Sequence, residues 1–221
     1  MIREDYILAW IKRYVRWLAE IAGFTRVSDH EAALRRIDLA LRTLLDTGPD
    51  SVTSLGDGEI LDRLTLGEPS QLVQDKCTVL AALLHQLGIV CLAKEQPGQA
   101  RDCFVKALHL VLGMKLRAEG TQLADFAPAV QDLVERLEPF ELSPRTYAAL
   151  MVHYENEGQF AKAEDALYAL LDAAPANRDA LEIGLGFYSR LEALGDETLA
   201  AGDLPRAEVQ AGLADLRQRN S

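Results

Sequence analysis

Four histidines (His30, His85, His109 and His153) and three cysteines (Cys77, Cys91 and Cys103) are the side chains best able to ligate a transition metal or act as nucleophiles. Their spacing encodes no local site. No H-E-x-x-H, C-x-x-C or Cys/His quartet occurs, so a zinc centre on one helix or one knuckle is not expected. His85 and His109 fall on the two helices of one candidate pair and could meet there. A polar pocket near His85/His109, used by a small-ligand-binding protein or an enzyme, is therefore the first alternative for function. The phosphate loop G-x-x-x-x-G-K-[ST] and the nucleophile elbow G-x-S-x-G are absent. "GLGFYS" (184–189) follows no strand and is not a dinucleotide fingerprint. "SLGDGE" (54–59) lacks the alternating oxygen ligands and distal Glu of a calcium loop. Paired carboxylates such as Glu155 with Glu157 and Glu164 with Asp165 crowd the acidic C-terminal half, where solvated helix faces account for them. No catalytic residue, metal ligand or cofactor is expected.

The elements that would position any site are helical. Apolar residues recur at helical spacing almost throughout, and no stretch alternates long enough for a strand. The punctuation agrees. "SDHE" (28–31) reads as a capping box, with Ser28 accepting from the amide of Glu31 and Glu31 reaching back. "SPR" (143–145) places Ser143 at an N-cap and Pro144 at the first helical position, and "GDLPRAE" (202–208) opens the last helix in a similar way. "TGPDSVTSLGDG" (47–58) and the residues around "AEGT" (118–121) read as loops. Helices are expected over 3–23, 30–46, 58–65, 70–94, 98–112, 127–138, 144–157, 161–173, 178–194 and 204–218.

The bulk properties bound the class of protein. In 221 residues, 49% are hydrophobic and 26% charged, which excludes wholesale disorder. A net charge of −11, with no long basic stripe, repels nucleic acid. An odd number of cysteines, and Glu4 and Asp5 where a secretory leader wants positive charge, point to a cytoplasmic protein with buried thiols. The apolar run "TVLAALLHQLGIVCLA" is interrupted by His85 and Gln86 and is read as too short to span a membrane.

Two segments fall on one helix-pair template. Residues 144–177 place Tyr147, Leu150, Tyr154, Ala163, Leu167 and Pro175 in register, with departures at Met151 and Leu170. Residues 81–114 place Leu84, Leu87, Gly88, Ala100, Phe104 and Ala107, with Cys91 and Leu112 departing. Both resemble tetratricopeptide repeats, units of about 34 residues in which small residues let two helices cross closely. Weaker registers begin near residue 14 (Trp17, Phe24, Ala33, Ile37, Ala40) and near residue 188 (Leu191, Leu194, Gly195, Ala207, Ala211). An irregular helical bundle with accidental matches is the competing reading. The chain as a whole also resembles a family of functionally uncharacterised bacterial proteins, on "EDYILAWI" (4–11), "FAKAEDALYALL" (160–171), "GLGFYSRL" (184–191) and "GDLPRAEVQAGL" (202–213).

The repeat resemblance implies a groove lined by first-helix residues. In the later unit these include Arg145, Val152, Glu155 and Asn156; in the earlier one, Ala82, His85, Ile89, Leu92 and Ala93. The carboxylate clamp of chaperone-binding members, a Lys and an Asn, is missing from both. The apolar earlier groove must be covered, by an internal helix or by a partner segment, and residues 47–70 are long enough to fold back over it.

The first helix carries the other candidate surface. At about 100° per residue from Tyr6, Trp17 falls near 20°, Trp10 near 40° and Tyr14 near 80°, inside an apolar arc of about 200°. Lys12, Arg13, Arg16 and Glu20 occupy the arc from about 240° to 340°. So wide an apolar face is buried on two fronts, or part of it is a homodimer or partner contact, or it lies on a membrane surface. The membrane reading ranks last. Tyr6, Trp10, Tyr14 and Trp17 are the candidate interface residues.

Together these observations predict an all-α chain of antiparallel helix pairs stacked as a tetratricopeptide-like right-handed superhelix, in one domain over 1–221. The function expected is a cytoplasmic protein–protein interaction module without catalytic activity, taking a protein or peptide partner or a second copy and no nucleic acid. A self-assembling structural protein is the remaining alternative.

Overall fold

The computed structural model describes residues 2–65, 70–117 and 123–219, excepting the side chains of residues 2–8, 57, 70 and 71. Among the described residues the chain is all helix, with twelve helices and no strand. Packing divides it into two compact units, Met1–Glu141 and Leu142–Ser221.

The first unit contains α1 (Ile2–Arg26), α2 (His30–Leu45), α3 (Pro49–Val52), α4 (Asp57–Thr65), α5 (Ser70–Ala93), α6 (Pro97–Arg117) and α7 (Val130–Leu137). Helix α5 is its axis, packed against α1, α2, α4 and α6. Its sequence explains that position: from Cys77 to Leu84 every residue is buried, so this stretch has no polar face to turn outward. The stretch Leu72–Ala93 is 22 residues long and could cross a membrane by length and composition, which corrects the expectation that this apolar run is too short. However, 67% of its apolar window is buried inside the protein, as in the core helix of a globular unit.

Helix α6 lies along α5. Its buried residues Ala100, Cys103, Phe104, Ala107, Leu108 and Val111 follow the 3–4 spacing of a single stripe. The two helices cross at Gly88, where an added Cβ would lie 2.5 Å from the Phe104 ring.

The second unit contains α8 (Pro144–Asn156), α9 (Phe160–Ala173), α10 (Arg178–Glu192), α11 (Asp196–Ala201) and α12 (Arg206–Arg219). Helices α8 and α9 form an antiparallel pair through a tight turn at Gly158, whose φ of +69° favours glycine. Helix α10 packs on α9 and α12. The α8–α9 turn is tied to the end of α11 by the Ala161 amide, which donates to the Gly202 carbonyl at 3.0 Å.

Several expected boundaries move for identifiable reasons. Ser143 caps α8 as read, accepting from the Thr146 amide, with Pro144 following. Ser28 does not cap α2. Helix α1 runs on to Arg26, so the chain must reverse within three residues, and Ser28 takes a left-handed φ of 60° to do so. An N-cap needs an extended or similar non-helical geometry with negative φ. Asp29 takes the role, its carboxylate accepting from the Ala32 amide at 3.0 Å. Glu31 is then free to pair with Lys94, the residue that follows α5, at 3.0 Å. The loop expected at 47–58 contains the short α3, started by Pro49 and held by the buried Val52. Between Gly195 and Gly202, the short α11 is anchored by the buried Leu199. Helix α6 extends to Arg117, and the loop expected at 118–121 lies outside the described residues.

The Gly88–Phe104 crossing is testable. Gly88→Ala gains up to about 1 kcal/mol of helix propensity but forces its methyl into a buried ring, at about 1–3 kcal/mol. The expected result is a lower unfolding midpoint in denaturant, partly restored by the double variant Gly88→Ala/Phe104→Leu.

Candidate functional site

The aromatic residues of α1 form a ladder. Trp10 and Tyr14 have ring centroids 4.4 Å apart, and Tyr14 and Trp17 meet edge to face at 5.1 Å. The side chain of Tyr6, the fourth residue expected on this face, lies outside the described residues. Helix α1 packs on both α2 and α5, and these two fronts bury the centre of the arc: Tyr14, Leu18 and Ile21. Trp10 and Trp17 sit on one flank and stay half-buried, while Val15 is exposed on the other. Lys12, Arg13 and Arg16 are exposed beyond the tryptophans. The wide face is therefore two things at once, a core contact and a rim of partly uncovered indole.

A second surface lies on α8 and α10. Arg145, Val152 and Asn156 of α8 are exposed, and Glu155 is half-buried. Arg190 of α10 holds Glu155 with two charge-assisted bonds, Nε to Oε1 at 2.6 Å and Nη2 to Oε2 at 2.8 Å. Val152 of α8 and Ile183 of α10 are also exposed, at 37% and 41%. Sequence reading missed Arg190 because its partner lies 35 residues away on another helix.

His85 of α5 is half-buried. Its ring lies 5.9 Å from Phe104, and its buried Nε2 has no hydrogen-bond partner. Burial lowers its pKa to about 4, the Arg136 charge adds to the shift, and Asp132 opposes it. His85 is thus neutral in the folded protein at physiological pH. Among the described residues no group of three or more His, Cys, Asp or Glu side chains is arranged to hold a metal ion.

The polar cleft of the second unit was not legible in the sequence. Glu164 and Tyr168 of α9 and Glu208, Ala211, Gly212 and Asp215 of α12 line a cavity of about 350 Å³. Tyr188 of α10 is fully buried, and its hydroxyl donates to Glu164 at 2.5 Å. Tyr168 donates to Asp215 at 3.2 Å, and Asp215 also pairs with Arg219 at 2.9 Å. Gly212 is required by this arrangement, since a Cβ there would lie 2.2 Å from the Tyr188 oxygen. Burial raises the Glu164 pKa, with the Tyr188 hydrogen bond pulling against it and Glu208 and Asp165 adding to the rise. Burial and the bond to Glu164 push Tyr188 well above the ordinary phenol range. The tyrosine donates and Glu164 accepts, which ties α9 to α10. A lone mid-helix glycine in "EVQAGLADL" was the available signal.

No curated protein and no solved structure matches the chain. Over its full length, residues 1–221, it matches a family described as a family of unknown function, DUF6483. The chain belongs to that family. The DUF6483 match agrees with the resemblance to an uncharacterised family and assigns no chemistry to either surface or to the cleft.

Two titrations follow from the geometry. His85 has a folded pKa below its ordinary 6.5, so the folded state binds fewer protons than the unfolded chain and stability falls as pH drops from about 6.5 towards 4. His85→Leu should flatten that acid limb in melting curves recorded against pH. Glu164 has the opposite sign. Its pKa lies above the ordinary 4.5, so its contribution is present below that pH and is lost as pH rises. Glu164→Gln keeps an acceptor for Tyr188 and should melt higher than the parent at pH 7, with the difference vanishing below pH 4.5.

Proposed function

We propose that this DUF6483 chain is a cytoplasmic protein–protein interaction module without catalytic activity, built on tetratricopeptide-like helix pairs stacked in a right-handed superhelix. Two pairs support the repeat reading. In α5–α6 the template residues Leu84, Leu87, Gly88, Ala100, Phe104 and Ala107 are all buried. In α8–α9 the same holds for Leu150, Tyr154, Ala163 and Leu167. Small residues sit at the α5–α6 crossing, Gly88 and Ala100, and Ala163 supplies one in α8–α9, where Met151 departs from the template.

The observation that carries the interaction reading is the half-buried pair Trp10 and Trp17 on α1. Tyr14, Leu18 and Ile21 already fill the core contact. Two indoles at the edge of that contact supply apolar area that a partner would finish burying, and Trp is the residue type most enriched at binding hot spots. The face of Arg145, Val152, Glu155 and Asn156 is the second partner surface in this reading. Its chemistry is mixed, with exposed apolar and cationic groups and a carboxylate already clamped by Arg190.

A homodimer through α1 is the form of this reading open to direct test. Sedimentation equilibrium of the full chain should show self-association that Trp10→Ala and Trp17→Ala each weaken, by about 30-fold for a loss of about 2 kcal/mol. Assembly unchanged in both variants, with only a lower melting temperature, overturns it. Assembly into large polymers through α1 instead favours the structural self-assembly alternative.

A further inference from the structure

Three cations on α1 lack what others in this chain have. Arg42 with Asp38, Arg63 with Glu59 and Arg219 with Asp215 each hold a carboxylate four residues away on their own helix, at 2.7 to 2.9 Å. Lys12, Arg13 and Arg16 are exposed, and among the described residues none of them makes an ion pair or a side-chain hydrogen bond. The sequence denies them a partner nearby. No Asp or Glu occurs between Asp5 and Glu20. Glu20 lies one turn after Arg16, but Arg36 of α2 holds it instead, at 2.9 Å. Lys12 and Arg16 are four residues apart and Arg13 and Arg16 three, spacings at which like charges on a helix surface repel. In a chain whose net charge is −11, this triad is positive charge that its own helix leaves uncompensated.

The triad runs beside the uncovered indoles. Arg13 comes three residues after Trp10 and four before Trp17, so it lies between them along the helix. Trp10 and Trp17, half-buried on either side of Tyr14, span about 10 Å of the axis, and the triad spans about 6 Å of the same stretch. Helix α1 thus offers two parallel stripes over two turns, one of indole edge and one of positive charge. A second helix laid along them can answer both. It needs apolar residues at i, i+3, i+4 and i+7, and carboxylates one turn apart beside them. An anionic membrane answers less well. Tyr14, Leu18 and Ile21, the face that would have to sink into it, are already turned into the core. A plane wide enough to meet the whole protein also meets its excess of carboxylates.

We propose that the Trp10–Trp17 edge of α1 is the docking site of an acidic amphipathic helix from another protein. Its apolar stripe covers the indoles, and its carboxylates pair with Lys12, Arg13 and Arg16. The inference rests on the reading of α1 as an interface and names what that interface takes. A second copy docked two-fold through α1 is the weaker occupant, because it brings its own triad to the same edge. Salt separates the two. It screens attraction in the acidic complex and repulsion in the dimer, so it weakens the first and strengthens the second.

The test selects binders to the full-length protein from a displayed library of random, tryptophan-free peptides of about 16 residues, enough for about four helical turns. Both tryptophans of the chain lie at the site, so indole emission reports its occupancy directly. The expected peptides are acidic, with apolar residues at helical spacing. They shift the emission to the blue and lose affinity as salt rises. The triple variant Lys12→Gln/Arg13→Gln/Arg16→Gln should bind them about tenfold more weakly. It should nevertheless melt no lower than the parent, since the repulsion within the triad is gone. Selection of neutral or basic peptides overturns the proposal. So does binding that leaves the indole emission unchanged, or that the triple variant keeps in full. Displacement of the peptides by vesicles of phosphatidylserine and phosphatidylcholine overturns it too, and assigns the triad to a lipid surface. Self-association through the tryptophans that salt strengthens, with no acidic binder found, rejects the acidic helix and keeps the α1 interface. Absence of both rejects the interface itself.

Discussion

An aromatic ring pressed into a gap left by a glycine on a neighbouring segment is the contact that sets the spacing of helices in both units. In the first unit the ring is Phe104 and the gap is at Gly88; in the second, Tyr188 meets Gly212 and Phe160 meets Gly202. In each case the Cβ that any other residue would bring lies 2.2 to 2.5 Å from a ring atom or the phenol oxygen. Such distances cannot be relieved by a small shift of the side chain, because the rings are buried on their other sides too. The glycines cost helix propensity in α5 and α12, roughly 1 kcal/mol each against alanine. Burial of a large ring against backbone outweighs that, at about 1.5–3 kcal/mol for the ring alone. Close crossings then bring otherwise distant side chains into reach, which is how Tyr188 meets Glu164.

Much of the fold was legible because helix formation here is a local matter. Spacing of apolar residues located ten of the helices, and Ser143 with Pro144 marked a start that the structure keeps. What failed was decided by neighbours or by length. Ser28 looks like a cap until α1 is seen to run to Arg26, which leaves it to make the reversal instead. Helices α3 and α11 are too short to show a period, and each is held by one buried side chain, Val52 or Leu199. The largely apolar second part of α5 could be read as a core helix or a short hydrophobic run, and only the helices around it settle the matter.

The candidate surfaces divide in the same way. That α1 carries too much apolar surface for one contact is visible from its own residues. Which part remains uncovered is not, because α2 and α5 choose Tyr14, Leu18 and Ile21 and leave Trp10 and Trp17 at the edge. Glu155 and Arg190 are 35 residues apart, and Tyr168 and Asp215 are 47 apart. No periodicity links such pairs. Each depends on two helices having already packed, so a single sequence carries them only as unexplained glycines and unassigned charges.

Charge shapes what remains. With a net charge of −11, the chain must place many carboxylates without letting them repel one another in confined places. In the second unit it does so by occupying them. Glu164 accepts from Tyr188, Asp215 from Tyr168 and Arg219, and Glu155 from Arg190. A carboxylate already bonded to its own fold has less to offer a cationic ligand, so the cleft between α9 and α12 serves the packing of the unit first. On α1 the balance is reversed. Lys12, Arg13 and Arg16 are exposed beside two half-covered indoles, and the rest of the chain carries the opposite sign. In the interaction reading proposed above, exposed cations and uncovered indole area would act together at this helix rather than in the cleft.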